Sequence, residues 1–97
     1  MNLLSIIFGH AGDGNVHINI LKGDLDRDKW DTLVPRLKKI IYELAINHSG
    51  TITGEHGIGF TRKNYLKLAM TDEEINLLKR IKSAFDPNRI LNPDKIF

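Results

Sequence analysis

The chain has 97 residues, of which 41% are hydrophobic and 27% charged, and this composition is typical of one folded domain rather than of a disordered segment or a coiled coil. The formal net charge is only +2, and carboxylates are interspersed among the basic residues, so we predict no nucleic-acid partner. No cysteine is present, which excludes disulfides, thiolate metal sites and cysteine nucleophiles.

The first two predicted elements are β-strands. Residues 3–8 form an apolar run that is typical of a buried strand and is too short to span a bilayer. Residues 16–20 alternate apolar with polar side chains, which predicts a strand with one buried and one polar face. Between them, Asp13 and Gly14 predict a two-residue type I′ hairpin turn, because both residues tolerate the positive φ that this turn needs.

The rest of the chain is predicted to be mainly helical. Residues 28–48 carry apolar side chains at helical spacing, with Pro35 in the first turn or at a kink and with Ser49-Gly50 as the end. A shorter helix is expected over residues 61–69. The sequence "TDEE" predicts a capping box between Thr71 and Glu74 at the start of a last helix that ends at Asp86-Pro87.

These elements predict the α+β class, with an antiparallel hairpin and helices packed on one face of it. A sheet usually needs three or more strands, or a close partner, before it is stable. We therefore expect the chain to be an incomplete part of a larger domain. We also expect it to self-associate as a homo-oligomer through the exposed edge of its sheet.

Two histidines flank the predicted turn. A type I′ turn at Asp13-Gly14 would place His10 directly opposite His17, with Cβ atoms about 4.5–5.5 Å apart on one face of the hairpin. Asn19 shares that face. Both imidazoles could then reach one metal ion, although a single histidine on a strand is more often a surface residue than a ligand.

A second block, "SGTITGEHGIG" at residues 49–59, contains Glu55 and His56 between glycines. Adjacent residues of an extended backbone point in opposite directions, so one could bind a metal while the other faces a substrate. The block lacks the phosphate-binding patterns G-x-x-x-x-G-K-[ST] and G-x-G-x-x-G. Its simpler interpretation is a helix C-cap followed by a surface loop. Two histidines and a glutamate suit Zn²⁺ or a similar ion with an open coordination position.

Three blocks together, "GHAGDGNVHINI", "SGTITGEHGIG" and "AFDPNRILNPDKIF", resemble the C-terminal part of the FAD-linked oxidase family. These are flavoproteins of the vanillyl-alcohol-oxidase or PCMH type, and they include D-lactate dehydrogenase, the glycolate oxidase flavoprotein subunit and D-2-hydroxyglutarate dehydrogenase. The resemblance covers essentially the whole chain. It implies that the chain is the end of a substrate domain and that an FAD-binding domain lies on an absent N-terminal part or on a partner subunit.

The resemblance also implies roles for individual residues. It assigns a divalent metal, commonly zinc, to His10, His17 and Glu55. It implies that Asn19 and His56 contact the substrate. Less specifically, the resemblance implies that Asn15 and the closing "LNPDKIF", including Asn92, lie near the flavin. The family usually has glycine where this chain has Asp94, which puts a close approach of the backbone at that point in doubt. The simpler interpretation of this tail is a C-terminus that is packed through Ile90, Leu91, Ile96 and Phe97.

The implied reaction is the transfer of hydride from C2 of a small D-2-hydroxy acid to FAD, with His56 as the general base. The chain alone is expected to be inactive, and the parent enzyme is expected in the cytoplasm or peripheral to a membrane. Two alternatives remain open from the residues. One is a metal-binding interaction module without catalysis, and the other is a zinc-dependent hydrolase in which Glu55 or His56 activates water.

Overall fold

The computed structural model describes residues 3–97. The chain divides into two compact units, Met1–Ile41 and Tyr42–Phe97, and the boundary falls inside a helix. The predicted α+β class is confirmed, because a two-stranded antiparallel sheet is followed by helices. In chain order the elements are β1 Ser5–His10, β2 Asn15–Ile20, α1 Arg27–Asn47, a 3-10 helix Lys63–Tyr65, α2 Leu66–Ala69 and α3 Asp72–Phe85.

The first unit contains the hairpin of β1 and β2, and its loop differs from the predicted one. Phe8 pairs with His17 and His10 pairs with Asn15, so the loop has four residues, 11–14, rather than two. The backbone N–H of Asp13 donates to the carbonyl of His10 at 3.1 Å. Gly14 has a φ of 67°, whereas Asp13 has no positive φ, and a type I′ turn needs both. The prediction that His10 lies directly opposite His17 is therefore wrong.

The alternation predicted for the strands is present, but the burial predicted for them is wrong. Ile7 and Val16, on one face of the hairpin, are 63% and 62% exposed, and Phe8 on the other face is also exposed. Two strands of six residues offer too little surface to bury either of their faces. Within residues 3–97, the hairpin consequently presents apolar side chains and two strand edges that pair with no further strand.

These edges lead us to expect concentration-dependent self-association, which light scattering should detect. Val16→Lys should shift the equilibrium toward the monomer, because a charged side chain on an edge strand opposes pairing with another copy. Leu44→Lys is the matched control, since it also replaces an exposed aliphatic side chain by lysine but lies in α1. A strict monomer over a wide concentration range would contradict the expectation.

Helix α1 begins one residue before the predicted start. The Asp26 carboxylate accepts from the backbone N–H of Lys29 at 2.8 Å, and this hydrogen bond lowers the pKa of Asp26. Pro35 lies in the interior of the helix rather than in its first turn. The helix ends where Ser49 takes a φ of 61° and the N–H of Gly50 donates to the Ala45 carbonyl at 2.8 Å. No helix within residues 3–97 has the length and apolar character that crossing a bilayer requires.

The second unit has a small core and a well-capped helix. Ile52, Leu66 and Ile75 are its buried apolar side chains among the described residues. The predicted capping box is confirmed, because the backbone N–H of Thr71 donates to the Glu74 carboxylate at 2.8 Å and the Thr71 hydroxyl accepts from the Glu74 N–H at 3.2 Å. The helix predicted over residues 61–69 is present as the 3-10 helix and α2.

The C-terminal tail is fixed by Asp86, which the sequence indicated only as a helix end. Asp86 is 3% exposed, and its carboxylate accepts from the backbone N–H groups of Ile90 and Leu91 at 3.0 and 3.1 Å. Lys82 Nζ donates to the same carboxylate and to the Leu91 carbonyl, both at 2.6 Å. Ile90 is 73% exposed and Leu91 is also exposed, so the prediction that their side chains pack the tail is wrong.

Farther along the tail, the N–H of Ile96 donates to the Gly59 carbonyl at 2.8 Å. Ile96 and Phe97 are partly buried, as the packed interpretation of the tail requires for these two residues. Polar and backbone groups thus hold most of the tail, because a segment this short has few apolar side chains to bury.

Candidate functional site

The two predicted metal-binding histidines lie on the same face of the hairpin. His10 and His17 are diagonal neighbours rather than a directly opposed pair, and their ring centroids are 6.1 Å apart with the planes nearly perpendicular. The register differs from the predicted one by two residues, and an even shift keeps every side chain on its face. The predicted juxtaposition is therefore retained although the predicted turn is wrong.

The strands position the His17 ring from two sides. Phe8, directly opposite, stacks on it with centroids 5.0 Å apart and an interplanar angle of 19°, and His10 meets it edge to face. Gly9 permits the close approach of the strands, because a Cβ at that position would overlap the carbonyl oxygen of Asn15. The sequence reasoning missed Phe8, although the side-chain period of two places it on the face of His10.

Two asparagines share this face. Asn19 is exposed on β2, two residues beyond His17. Asn15 lies opposite His10, and its side-chain oxygen Oδ1 is buried without a hydrogen-bond partner among residues 3–97. An orphaned buried acceptor is uncommon in folded proteins, and this oxygen is free to accept from a donor group of a water or a ligand.

Glu55 and His56 lie in the second unit, in the loop that follows α1. Glu55 Oε1 is 3.6 Å from His56 Nε2, and both side chains are exposed. The residues lie in a bend, so the extended backbone that was predicted for them is not present.

The tail carries the remaining predicted site residue, Asn92, which is exposed and has a φ of 46°. Asp94 follows with a φ of 61°, and glycine reaches this left-handed region without the steric cost that other residues bear. The conformation explains why glycine would suit this position. It also shows that aspartate is accommodated here.

We expect Asp94→Gly to stabilise the chain by up to about 1 kcal/mol, because relief of the left-handed conformation outweighs the added flexibility of the unfolded chain. Asp94→Ala should destabilise it, since alanine bears the steric cost and lacks the polar side chain that helps aspartate tolerate this region. Urea denaturation of the two variants measures both effects. Equal stabilities of the glycine and alanine variants would contradict the argument.

Comparison with known proteins agrees with the sequence blocks. Residues 2–96 match the family described as FAD linked oxidases, C-terminal domain, and the chain belongs to this family. It is 44% identical over 91 residues to a D-2-hydroxyglutarate dehydrogenase of Stutzerimonas stutzeri. This alignment covers 93% of this chain and 20% of that protein. It is also 42% identical over 95 residues to the mitochondrial D-lactate dehydrogenase [cytochrome] of Kluyveromyces lactis. This alignment covers 98% of this chain and 16% of that protein.

A third relative is the glycolate oxidase subunit GlcD of Bacillus subtilis, 43% identical over 90 residues, with 93% of this chain and 19% of that protein covered. The chain thus spans no more than one fifth of the length of these curated relatives. The family to which it belongs is one of FAD-linked oxidoreductases, and its relatives bear the names of hydroxy acid dehydrogenases and oxidases.

Proposed function

We propose that this chain forms part of a flavin-dependent dehydrogenase or oxidase of small D-2-hydroxy acids and supplies metal-binding and substrate-binding residues to it. The observation that carries the proposal is the pair of imidazoles on one face of the hairpin in a chain of the FAD-linked oxidase family. The relatives' names indicate the substrate class, a carboxylate with a hydroxyl on the adjacent carbon.

The donor set fits a divalent ion of the first transition row. His10 and His17 offer neutral nitrogen ligands, and Phe8 fixes the orientation of one ring by stacking on it. Glu55 is the proposed third ligand, and its exposed carboxyl group offers the oxygen atoms that Zn²⁺ accepts as ligands. When bound, the metal would supply Lewis-acid polarisation of the substrate hydroxyl, and FAD would supply the acceptor for hydride.

The remaining residues have roles in binding and proton transfer. His56 accepts the hydroxyl proton of the substrate through its imidazole. The neighbouring Glu55 has two oxygens, so one can bind the metal while the other stabilises the imidazolium that forms on His56. Asn19 donates its amide N–H to an oxygen of the substrate, which orients the reacting carbon.

The flavin would be held mainly outside this chain, with Asn15 and Asn92 as its proposed contacts here. The buried Oδ1 of Asn15 has no hydrogen-bond partner within residues 3–97 and can accept a hydrogen bond from a ring N–H of a flavin. Asn92 adopts a left-handed conformation that turns the tail and leaves its side-chain amide exposed.

A chimera tests the proposal directly. We would replace the matching C-terminal segment of the Stutzerimonas stutzeri relative by this chain and follow the reduction of its flavin by 2-hydroxyglutarate, lactate and glycolate. We expect at least one of these acids to bleach the flavin. His56→Ala in the chimera should slow the reduction by at least about 100-fold, the usual contribution of a general base, and His48→Ala should leave it unchanged.

The flavin content of the purified chimera separates a folding failure from a functional one. A chimera that retains FAD and binds Zn²⁺ but is reduced by none of the acids would contradict the oxidoreductase proposal. That result would favour the interaction module. Hydrolysis of ester substrates without flavin reduction would favour the hydrolase.

A further inference from the structure

A cavity outside the proposed metal and substrate site lies entirely within the second unit. Of the closing segment that the resemblance places near the flavin, it includes Ile96 and Phe97 but not Asn92. It is an open cavity of about 480 Å³ between the 3-10 helix, α2, α3 and the C-terminal tail. This volume is in the range of small-molecule sites. Four cationic side chains line it, and no acidic residue does within residues 3–97: Lys63, Lys67, Lys79 and Arg89.

Within the described part of the chain, Lys67 is the cavity cation that makes a direct ion pair with a carboxylate, and the same carboxylate, that of Asp72, also attracts Lys79. Lys67 Nζ is 2.9 Å from the Asp72 carboxylate, and this exposed pair lowers the pKa of Asp72. Lys63 Nζ donates to the backbone carbonyl of Asp94 at 3.3 Å, which leaves its charge uncompensated. Arg89 has no ion pair with any of residues 3–97. Like charges in one concave region raise the local concentration of anions.

The floor of the cavity is apolar. Leu66 and Ile75 are buried core residues that also line it, and Phe97 closes one side. Lys79 Nζ lies 5.7 Å from the centre of the Phe97 ring, so a cation and an aromatic face are adjacent. A ligand that placed a charged group at the lysines and a flat apolar group against the ring would use both features.

We propose that this cavity binds a small amphipathic anion, that is, a phosphate or carboxylate group attached to an aromatic or aliphatic portion. A soluble small molecule suits the cavity because its apolar residues Leu66 and Ile75 are buried, whereas most of the cations that line it are exposed. The proposal does not depend on the oxidoreductase function. The tail that forms one wall is fixed by Asp86 and by the Ile96–Gly59 hydrogen bond, so the lining is built before a ligand arrives.

Binding can be measured on the whole chain at low ionic strength by calorimetry and by amide chemical shifts, with three probes. Adenosine 5′-monophosphate carries both an anion and an aromatic group, inorganic phosphate carries only the anion, and adenosine carries only the aromatic group. We expect the nucleotide to bind at least about tenfold more tightly than either of the other probes, because each lacks one set of contacts. The largest shifts should be at Lys79, Arg89 and Phe97.

The matched variants are Lys79→Gln and Arg80→Gln. Both remove one positive charge from an exposed position of α3, but only Lys79 lines the cavity. Lys79→Gln should weaken nucleotide binding about tenfold and Arg80→Gln should change it by less than about twofold. Equal losses in the two variants would show attraction to net charge alone and would overturn the proposal. So would equal affinities for the nucleotide and phosphate, or the absence of binding at millimolar concentration.

Discussion

Replacing His17 by alanine should reduce the affinity of the chain for Zn²⁺ by at least about 100-fold, which calorimetric titration would measure as loss of binding. Even residues that only orient a metal ligand change affinity by about 10-fold to 100-fold, so removal of a ligand should cost more. His17 is the more enclosed of the two histidines, stacked on Phe8 and edge-on to His10. His10→Ala should weaken binding similarly.

Two other histidines supply the controls. His56→Ala should retain Zn²⁺ binding, because His56 is proposed to act on the substrate rather than on the metal, and His48→Ala removes a histidine from the end of α1 that has no proposed role. Equal losses in His17→Ala and His56→Ala would contradict the division between ligand and base. Unchanged Zn²⁺ binding in His17→Ala would show that the proposed metal site does not exist. Since protons compete with a metal for imidazole nitrogen, acidification should weaken Zn²⁺ binding by the unsubstituted chain.

Replacing Asp86 by alanine should lower the midpoint of thermal unfolding by about 5–10 °C, because it removes a buried acceptor on which two backbone N–H groups and a lysine depend. The amides of Ile90 and Leu91 should lose at least about tenfold in protection from hydrogen exchange. Circular dichroism and exchange measured by NMR check the two effects. The unfolding midpoint of Asp86→Asn should lie between those of the unsubstituted chain and Asp86→Ala, since asparagine keeps an acceptor but not the charge.

The effect of Asp86 should depend on pH in a defined direction. The hydrogen bond from Lys82 is the main cause that lowers the pKa of Asp86 from its ordinary value of 3.8; burial opposes the shift, and the N–H groups of Ile90 and Leu91 add to it. Because the pKa is lowered in the folded state, the stabilisation is present above pH 3.8 and is lost as the pH falls through the folded value. The difference between the parent and Asp86→Ala should therefore shrink in acid.

Asp72→Ala serves as the control, since Asp72 also pairs with a lysine but is exposed. It should shift the midpoint by less than about 3 °C, because exposed ion pairs contribute little to stability. A shift for Asp72→Ala as large as that for Asp86→Ala would contradict the argument that burial and the backbone hydrogen bonds give Asp86 its effect.

The helices could be predicted closely from the sequence because their signals are local. The "TDEE" box defines the start of α3 through two hydrogen bonds made within four residues. The end of α1 likewise depends on nearby groups, with Gly50 so close to the Ala45 carbonyl that a Cβ would have to displace it. The α+β class follows from these elements and the two apolar strands.

The hairpin was harder to predict because its register depends on the conformation of the loop as a whole. The pair Asp13-Gly14 indicated a two-residue turn, but of these two residues only Gly14 takes the left-handed conformation. Each residue of β2 consequently pairs with a β1 residue two positions earlier than predicted. The candidate histidines still share a face because the shift is even. The orphaned oxygen of Asn15 could not be predicted, since it depends on which atoms surround it in three dimensions.

The Asp86 network was missed because its partners are contacts of the folded tail. Lys82 lies four residues before Asp86, a spacing that indicates an ion pair at the end of a helix. The two backbone N–H groups that donate to the carboxylate reach it only because residues 89–91 fold back toward Asp86. The sequence pattern of the last helix ends at Pro87 and therefore does not predict how residues 89–91 fold back.

The left-handed residues of the tail connect its folding to the occupancy of the cavity. Arg89, Asn92, Asp94 and Ile96 all have φ values between 46° and 64°, an unfavourable set for a free chain, so we expect the tail to dock after the rest of the unit and to detach before it. Arg89, Ile96 and Phe97 also line the cavity. An anion bound there would therefore favour the docked tail, and a substitution that detaches the tail would lower affinity for the anion in proportion to the docked fraction that is lost.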